Sequence, residues 1–331
     1  MSILVTGGAG YIGIHTVAEL IAHQEEVVVV DNLGLGHREA VQALNVSLYE
    51  VDIRDRDKMI SIMKNHQVDT VVHFAAFSQV GESVRLPLKY YQNNVAGTTE
   101  LLAAMVEAGV LRIVFSSTAA TYGEPEATPI VESHRKHPTN PYGETKLAIE
   151  RMLHWSAEAY GLQSVSLRYF NAAGAHPDLP IGEHHANESH LIPIVLQTAL
   201  GLRQKVTVFG TDYPTQDGSC IRDYIHVMDL ASAHRLAVQK LRNEHVGAVA
   251  YNLGIGKGYS VIEVIDTSRA VTKREIPVEW GTRREGDPAV LIASPVLAKQ
   301  ALHWSPKYLE LSSIIASAWA WHLNHPNGYE S

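Results

Sequence analysis

The stretch Ile3-Leu4-Val5-Thr6-Gly7-Gly8-Ala9-Gly10-Tyr11-Ile12-Gly13 decides the fold of this 331-residue chain. A short apolar run, typical of a buried strand, leads directly into a glycine-rich turn and then into residues with helical spacing. Read from Gly8, the turn satisfies G-x-G-x-x-G. Glycines in this pattern let the backbone turn tightly and approach a pyrophosphate, whose charge then faces the N-terminus of the helix. The stretch therefore predicts a strand, a phosphate-binding turn and a helix.

Residues downstream of this turn favour a dinucleotide ligand. The second predicted strand, residues 27–30, is followed by Asp31, 18 residues after Gly13. A carboxylate there accepts hydrogen bonds from a ribose 2′-hydroxyl and repels a 2′-phosphate, which favours NAD over NADP. Asp52 follows the third predicted strand, where it either bonds the adenine amino group or caps the next helix. Phe74-Ala75-Ala76 ends the fourth strand with small residues that allow close approach of the cofactor.

Strand-like and helix-like segments alternate through the first half of the chain. This alternation predicts an α/β fold with a doubly wound parallel sheet, the Rossmann arrangement, over residues 1–171. The predicted strands are 3–5, 27–30, 46–51, 70–74, 112–116 and 164–168, and the predicted helices are 12–23, 57–66, 87–108 and 142–160. Residues 172–331 are expected to form a smaller mixed α/β domain for the substrate, and the segment 221–252 is a candidate to rejoin the first sheet.

Composition and charge exclude several classes of protein. Apolar residues make up 46% of the chain, enough for a large core, and 27 Lys and Arg against 35 Asp and Glu give a net charge of −8. That balance argues against nucleic-acid binding. Cys220 is the only cysteine, which favours a reducing, cytoplasmic location. No apolar run approaches the ~20 residues of a membrane span, and because strand-like residues begin at Ile3 we expect no signal peptide.

A tyrosine and a lysine stand four residues apart on the helix predicted at 142–160. Tyr142 and Lys146 therefore share one helix face, and the strand predicted at 112–116 leads into Thr118. A phenol normally titrates near ~10. Because an adjacent ammonium and a cationic nicotinamide both favour the phenolate, Tyr142 is expected to act as a base near neutral pH. The hydroxyl of Thr118 is placed to hold the substrate oxygen.

Five further segments narrow the comparison with known families. They are Val80-Gly81-Glu82-Ser83-Val84, Tyr90-Tyr91-Gln92-Asn93-Asn94, Leu167-Arg168-Tyr169-Phe170-Asn171, Arg222-Asp223-Tyr224-Ile225-His226 and Arg283-Arg284-Glu285-Gly286-Asp287. With the glycine-rich turn, the strand-end hydroxyl and the Tyr-x-x-x-Lys pair, they resemble the extended short-chain dehydrogenase/reductase family. Within that family the resemblance is to the enzymes that epimerise UDP-hexoses at C4, and it extends from Ile3 to Tyr329.

The resemblance implies an NAD-dependent isomerase, a homodimer of galactose metabolism, that interconverts UDP-glucose and UDP-galactose through a 4-keto intermediate. Tyr142 would take the proton of the sugar 4-hydroxyl, Thr118 would hydrogen-bond the 4-oxygen, and Lys146 would bind the nicotinamide ribose. The residues implied to bind NAD are Gly7, Gly10, Tyr11, Ile12, Gly13, Asp31, Asn32, Asp52, Ile53, Phe74, Ala75, Ala76, Ser78, Asn93, Ser116, Tyr142, Lys146, Tyr169 and Phe170. Those implied to bind the UDP-hexose are Thr118, Tyr142, Asn171, His190, Leu191, Phe209, Arg222, Arg284, Asp287 and Leu291.

Four positions bear on how closely the chain follows this family. Ser78 stands where many members carry a lysine near the nicotinamide, Thr118 replaces a serine, and His190 stands where an asparagine often contacts the substrate. Leu291 occupies the position that gates the sugar 2-substituent in relatives. Since leucine is intermediate in size, we expect partial activity on UDP-N-acetylglucosamine.

Alternative functions and a metal site were weighed against this interpretation. A nucleotide-sugar 4,6-dehydratase needs an acid and a base beside the strand-end threonine, whereas Ala119-Ala120 follows Thr118. Another NAD-dependent nucleotide-sugar epimerase and a non-catalytic NAD-sensing protein remain alternatives, although the second has no need of a Tyr–Lys pair. His184, His185 and His190 lack a recognised ligand spacing, so we expect a solvated loop and no metal.

Overall fold

The computed structural model describes residues 1–283 and 288–329, whose strands form three sheets. In chain order the strands are β1 (Ser2–Thr6), β2 (Glu26–Asp31), β3 (Ser47–Glu50), β4 (Val68–His73), β5 (Arg112–Thr118), β6 (Gln163–Tyr169), β7 (Asn171–Ala173), β8 (Val206–Phe209), β9 (Ile221–His226), β10 (Ala248–Leu253), β11 (Gly258–Ser260), β12 (Val278–Gly281) and β13 (Val290–Leu291). Seven parallel strands form the large sheet in the order β10-β6-β5-β4-β1-β2-β3. A second sheet pairs β9 with β7, β11 and β13, and a third pairs β8 with β12.

Helices cover both faces of the large sheet and complete the smaller part of the molecule. They are α1 (Tyr11–Ala22), α2 (Arg38–Ala43), α3 (Arg56–Asn65), α4 (Val80–Arg85), α5 (Pro87–Tyr90), α6 (Gly97–Ala108), α7 (Pro141–Tyr160), α8 (Leu191–Ala199), α9 (Val227–Asn243), α10 (Val261–Thr272), α11 (Val296–Leu302) and α12 (Leu311–Asn324). In the described part of the chain, no helix combines the length and the apolarity of a bilayer span.

The first strand shows why the large sheet is buried on both faces. Ile3 and Val5 belong to one apolar cluster and Leu4 belongs to another, because successive side chains of a strand point to opposite faces. All three are fully buried, and each contributes about 1.5–3 kcal/mol relative to an exposed position. The predicted doubly wound α/β fold is confirmed.

The segment predicted to rejoin the first sheet divides between two sheets. β9 lies in the second sheet, whereas α9 packs along α1 and β10 runs parallel to β6 at the edge of the large sheet. The later part of residues 221–252 therefore completes the fold begun by residues 1–171. β9, which carries Arg222, contacts the residues that follow β10, because the carboxylate of Asp223 accepts hydrogen bonds from the backbone nitrogens of Ile255 and Gly256.

The helix predicted over residues 87–108 is interrupted. A π-helical segment, Tyr91–Ala96, separates α5 from α6. Such segments insert an extra residue per turn and occur most often at functional sites. Here the widened turn carries Asn93 and Asn94; the side chain of Asn94 reaches the loop that follows β4, and Asn93 donates to Asn94.

Candidate active site

The glycine-rich turn after β1 fits closely against its neighbours. A Cβ atom on Gly7, whose φ is 71°, would lie 2.5 Å from the backbone nitrogen of Ala75, and one on Gly13 would lie 2.2 Å from the carbonyl oxygen of Gly7. Gly10 caps α1 without a side-chain hydrogen bond. These glycines therefore let the turn pack directly against neighbouring backbone, and the free backbone N–H groups at the start of α1 fit a bound pyrophosphate.

Asp31 lies at the end of β2, beside this turn. Its carboxylate accepts hydrogen bonds from the backbone nitrogens of Ala9 (3.0 Å) and Leu33 (2.8 Å). Burial raises the pKa of Asp31, and the two backbone donors partly offset that effect. The side chain is therefore fixed at the place where the sequence predicts contact with a ribose.

Asp52 bonds its neighbours and does not cap a helix. It accepts hydrogen bonds from the guanidinium of Arg54 (2.7 Å) and from the amide of Asn32 (3.1 Å). The hydrogen bond with Arg54 lowers the pKa of Asp52 to about 2. Asp55 caps α3 instead, by accepting a hydrogen bond from the backbone nitrogen of Lys58. The alternative of a helix cap at Asp52 is therefore wrong.

Asn94 of the π-helical segment fastens the loop that follows β4. Its side chain accepts a hydrogen bond from the Phe77 backbone nitrogen (2.9 Å) and donates to the Phe77 carbonyl (3.0 Å) and to Thr145 of α7 (3.2 Å). Asn93, predicted to contact the cofactor, donates to Asn94 at 3.0 Å. The role of Asn94 could not be predicted, because a local helix irregularity that leaves no pattern in the sequence buries this residue.

The three predicted catalytic residues meet at the carboxyl end of β5. The Thr118 side chain lies close enough to Tyr142 to lower the pKa of the phenol, and Lys146 lies one turn further along α7. The Lys146 ammonium donates to the carbonyl of Ser116 at 2.8 Å, and its nitrogen lies 5.9 Å from the centre of the Tyr142 ring. The strand end and the helix therefore bring a hydroxyl, a phenol and an amine together, as the sequence predicts.

The start of α7 fixes the position of the phenol. Asn140 caps the helix by accepting a hydrogen bond from the Gly143 nitrogen at 2.9 Å, and Pro141 supplies the first helical residue. A Cβ on Gly143 would lie 2.5 Å from the carbonyl oxygen of Ala120. The helix thus begins in direct backbone contact with the turn that follows Thr118.

Burial dominates the ionisation of both groups on α7. It raises the pKa of Tyr142 to about 12, although the hydrogen bond with Thr118 acts in the opposite direction. It also lowers the pKa of Lys146 to about 7. These directions are opposite to the expectation that Lys146 favours the phenolate, because the buried lysine itself loses charge. The phenol gives up its proton only when further positive charge comes near it.

Further predicted cofactor residues lie towards the carboxyl ends of β5 and β6. The Ser116 hydroxyl is hydrogen-bonded to the Tyr169 hydroxyl, and burial raises the pKa of Tyr169. Tyr11, at the start of α1, donates to the carbonyl of Gly174 at 2.6 Å. Phe170 lies between β6 and β7. Hydrogen bonds therefore link predicted cofactor residues to other segments near the carboxyl ends of the parallel strands.

Glu150 is a residue near the site that sequence analysis missed. It follows Tyr142 and Lys146 at the same four-residue spacing and accepts two hydrogen bonds from Arg168 of β6, at 2.8 and 2.6 Å. Ser117 of β5 also donates to it at 2.6 Å. The spacing of Tyr142, Lys146 and Glu150 could have identified this residue. Glu150 therefore links α7, the helix that carries Tyr142, to β5 and β6 of the large sheet.

The predicted substrate residues lie mainly on the second sheet and on α8. Leu291 pairs with Arg222 across β13 and β9, and Asn171 donates to the Asp223 carbonyl at 3.4 Å. The remaining described members are Phe209 at the end of β8, His190 as the N-cap of α8, and Leu191 as its first residue. Arg284 and Asp287 lie outside the described residues. Ser78, a predicted cofactor residue, lies exposed just before α4.

The segment between β7 and α8 packs against the rest of the protein more closely than the expected solvated loop would. Ile181, Gly182 and Glu183 are buried, because Trp321 of α12 packs on this segment. Glu183 lies next to His185 and His190. The expectation of a solvated loop is therefore wrong for residues 181–183, whereas residues 184–190 are half-buried or exposed.

Comparisons with known proteins agree with this geometry. A family profile described as "NAD dependent epimerase/dehydratase family" matches residues 3–254. The chain is 59% identical to a UDP-glucose 4-epimerase of Halalkalibacterium halodurans over 331 residues, covering 100% of this chain and 98% of the relative.

Two solved structures share the fold over nearly the whole chain. A UDP-glucose 4-epimerase from Brucella ovis in complex with NAD has a TM-score of 0.93 at 46% identity and covers 96% of this chain and 97% of its own. One from Bifidobacterium longum in complex with NAD⁺ and UDP has a TM-score of 0.93 at 38% identity, covering 99% and 100%. The chain therefore belongs to the NAD dependent epimerase/dehydratase family.

Proposed function

We propose that this enzyme interconverts UDP-glucose and UDP-galactose by transient oxidation at C4, with NAD as a tightly held cofactor. The observation that carries this proposal is the grouping of Tyr142, Thr118 and Lys146 at the carboxyl end of β5, on the side of the sheet where the glycine-rich turn opens. Full-length relatives with the same activity support it. The proposal places the enzyme in galactose metabolism.

The chain's own residues would move one proton and hold the sugar. A bound NAD would supply the hydride acceptor for C4 of the sugar and, in its reduced form, the hydride donor to the opposite face of the 4-keto sugar. Thr118 holds the 4-oxygen by a hydrogen bond, and Tyr142 accepts the proton of the 4-hydroxyl and later gives it back. Lys146 would bind the nicotinamide ribose. Because no net oxidation occurs, the reaction needs no second substrate.

We propose that the nucleotide-sugar is held by the smaller part of the molecule. Arg222 and Leu291 face each other across β9 and β13, and a guanidinium suits a diphosphate. Residues 1–171 with α9 and β10 would bind NAD, and the rest of residues 172–331 would bind the UDP-hexose. The side chain of Leu291, intermediate in size, would admit N-acetylated UDP-sugars with reduced efficiency.

A homodimer is the proposed assembly. Leu88 of α5 and Trp155 of α7 are 81% and 69% exposed, and Val84 of α4 is also exposed. These three helices pack on one another. Apolar side chains exposed on neighbouring helices favour contact with a second copy of the chain.

A cytoplasmic location is proposed from the single cysteine, Cys220, which is buried.

Replacing the phenol tests the proposed reaction. The wild-type enzyme, with no NAD added, is expected to convert UDP-galactose into UDP-glucose, and Tyr142→Phe is expected to lower turnover by about 10²–10⁴-fold. Bound NAD, measured by absorbance after denaturation, should persist in the variant. Tyr160→Phe is the matched control, because Tyr160 is exposed at the other end of α7. Wild-type turnover in Tyr142→Phe would contradict the proposed base.

The rival dehydratase activity has a separate readout. Ala119 and Ala120 form a 3₁₀ turn directly after Thr118 and offer no group that transfers protons. The enzyme is therefore expected to release no 4-keto-6-deoxy sugar from UDP-glucose, as measured by mass spectrometry. Accumulation of that product would favour the dehydratase.

A further inference from the structure

Four metal-ligating side chains meet in the segment between β7 and α8. Glu183, His185, Glu188 and His190 follow an E-x-H-x-x-E-x-H spacing, and one ligand atom from each lies within 4.8 Å of the others. His185 Nδ1 is 3.5 Å from Glu183 and 3.1 Å from Glu188. His190 Nδ1 is 2.5 Å from Glu183 and 3.5 Å from Glu188. We propose that these four side chains bind one zinc ion, in place of the metal-free loop expected from sequence.

The distances suit a four-coordinate ion. Zinc binds histidine nitrogen and carboxylate oxygen at about 2.0–2.2 Å, so its ligand atoms stand about 3.4 Å apart in a tetrahedron. The four nitrogen–oxygen distances, from 2.5 to 3.5 Å, lie close to that separation. Small rotations of the four side chains would therefore leave room for one ion between the ligand atoms. Two imidazoles with two carboxylates suit zinc, whereas magnesium and calcium prefer oxygen ligands alone.

The charge of the cluster also calls for a cation. The side chains of Glu183 and Glu188 are only 4% and 2% exposed. Among the described residues, their ion pairs are with His185 and His190, and neither pairs with a lysine or an arginine. A buried carboxylate needs a compensating positive charge, which here comes either from the two imidazoles in their protonated form or from a bound cation. A divalent cation would balance both carboxylates while the two imidazoles stay neutral, which is the form that ligates metals.

The backbone holds the ligands in place before any ion binds. One carboxylate oxygen of Glu188 accepts hydrogen bonds from the backbone nitrogens of Ser189 and His190, both at 2.8 Å, and its other oxygen faces His185. The indole of Trp321 in α12 donates to the carbonyl of Glu183 at 3.2 Å. Partners of this kind orient metal ligands and raise affinity.

A site with four protein ligands is closed, and closed zinc sites are structural. The ion would fasten residues 183–190 to one another and fix His190, the N-cap residue of α8. The proposal rests on protein side chains alone and does not depend on the proposed epimerase reaction. Metal binding, measured directly, therefore tests it whatever the enzyme's activity proves to be.

The test is a titration of the metal-depleted, full-length chain, prepared without a histidine tag, with Co²⁺ alone and then with Zn²⁺. We expect about one equivalent of Co²⁺ to bind, with the strong visible absorption of a tetrahedral centre, and Zn²⁺ to displace it. Absence of binding in the wild-type chain would overturn the proposal and leave carboxylate–imidazolium pairs in its place. Binding with the weak absorption of an octahedral centre would overturn it too.

Two variants locate the ion. Glu183→Gln and His185→Ala are each expected to lower Zn²⁺ affinity at least about 10-fold, whereas His23→Ala, which removes an exposed imidazole from α1, should leave it unchanged. Circular dichroism of each variant separates lost binding from lost folding. Unchanged affinity in a folded Glu183→Gln protein would place the ion elsewhere and overturn the proposal.

Discussion

Replacing Glu150 by glutamine is expected to destabilise the enzyme strongly while changing hardly any volume. In the native protein Glu150 receives two hydrogen bonds from Arg168, whose side chain is only 5% exposed, and one from Ser117. The glutamine NH₂ group would face a guanidinium N–H group, and the arginine would keep its charge with only the glutamine oxygen and Tyr122 as described acceptors. Breaking such a buried pair from one side costs about 3–5 kcal/mol.

Urea unfolding followed by circular dichroism measures this loss. Glu158→Gln makes the same chemical change at an exposed position of the same helix and should alter the free energy of unfolding by no more than about 0.5 kcal/mol. Adding Arg168→Met to Glu150→Gln should cost less than the two single changes together, since the buried charge is then removed. The reasoning is refuted if Glu150→Gln loses no more stability than Glu158→Gln.

Three further outcomes follow from the structure. Gly13→Ala places a Cβ 2.2 Å from the Gly7 carbonyl, so the purified variant should have lost most of its bound NAD, and full NAD content would contradict the close fit of the turn. Five buried histidines have pKa values lowered by burial to about 3 or 4, namely His15, His73, His226, His234 and His322. Their unfolded forms take up protons below pH ~6.5, so each should remove about 1.4 kcal/mol of stability per pH unit as the pH falls from ~6.5 towards ~4, and a flat urea midpoint over that range would contradict this. Leu291→Ala should raise kcat/KM for UDP-N-acetylglucosamine relative to UDP-glucose by roughly tenfold, and an unchanged ratio would exclude Leu291 as the gate.

Much of the sheet could be predicted because each strand carries its own apolar pattern. β1 is read directly from Ser2–Thr6, and the glycine-rich turn that follows it indicates the ligand. The short strands β7, β11 and β13 could not be predicted, since they consist of two or three residues that depend on pairing with β9. α2 was also missed, because its six residues are too few for a clear periodicity.

Some residues of the candidate site could be predicted from the sequence, and others could not. Tyr142 and Lys146 share a helix face that spacing alone predicts, and Thr118 follows a recognisable strand. The loop cluster could not be predicted, because Glu183 and His190 come together in irregular chain where sequence separation says little about distance. The raised pKa of Tyr142 could not be predicted from the sequence either, because desolvation depends on atoms from several segments.

The place of β10 at the edge of the large sheet has a consequence for synthesis on the ribosome. As the nascent polypeptide emerges, β6 keeps one unpaired edge until residues 248–253 have left the exit tunnel. Nor can α1 pack on α9 before residues 227–243 have emerged. Translation must therefore pass through β7, α8, β8 and β9 before the nucleotide-binding half can close, and a chain that ends at residue 171 would expose the unpaired edge of β6.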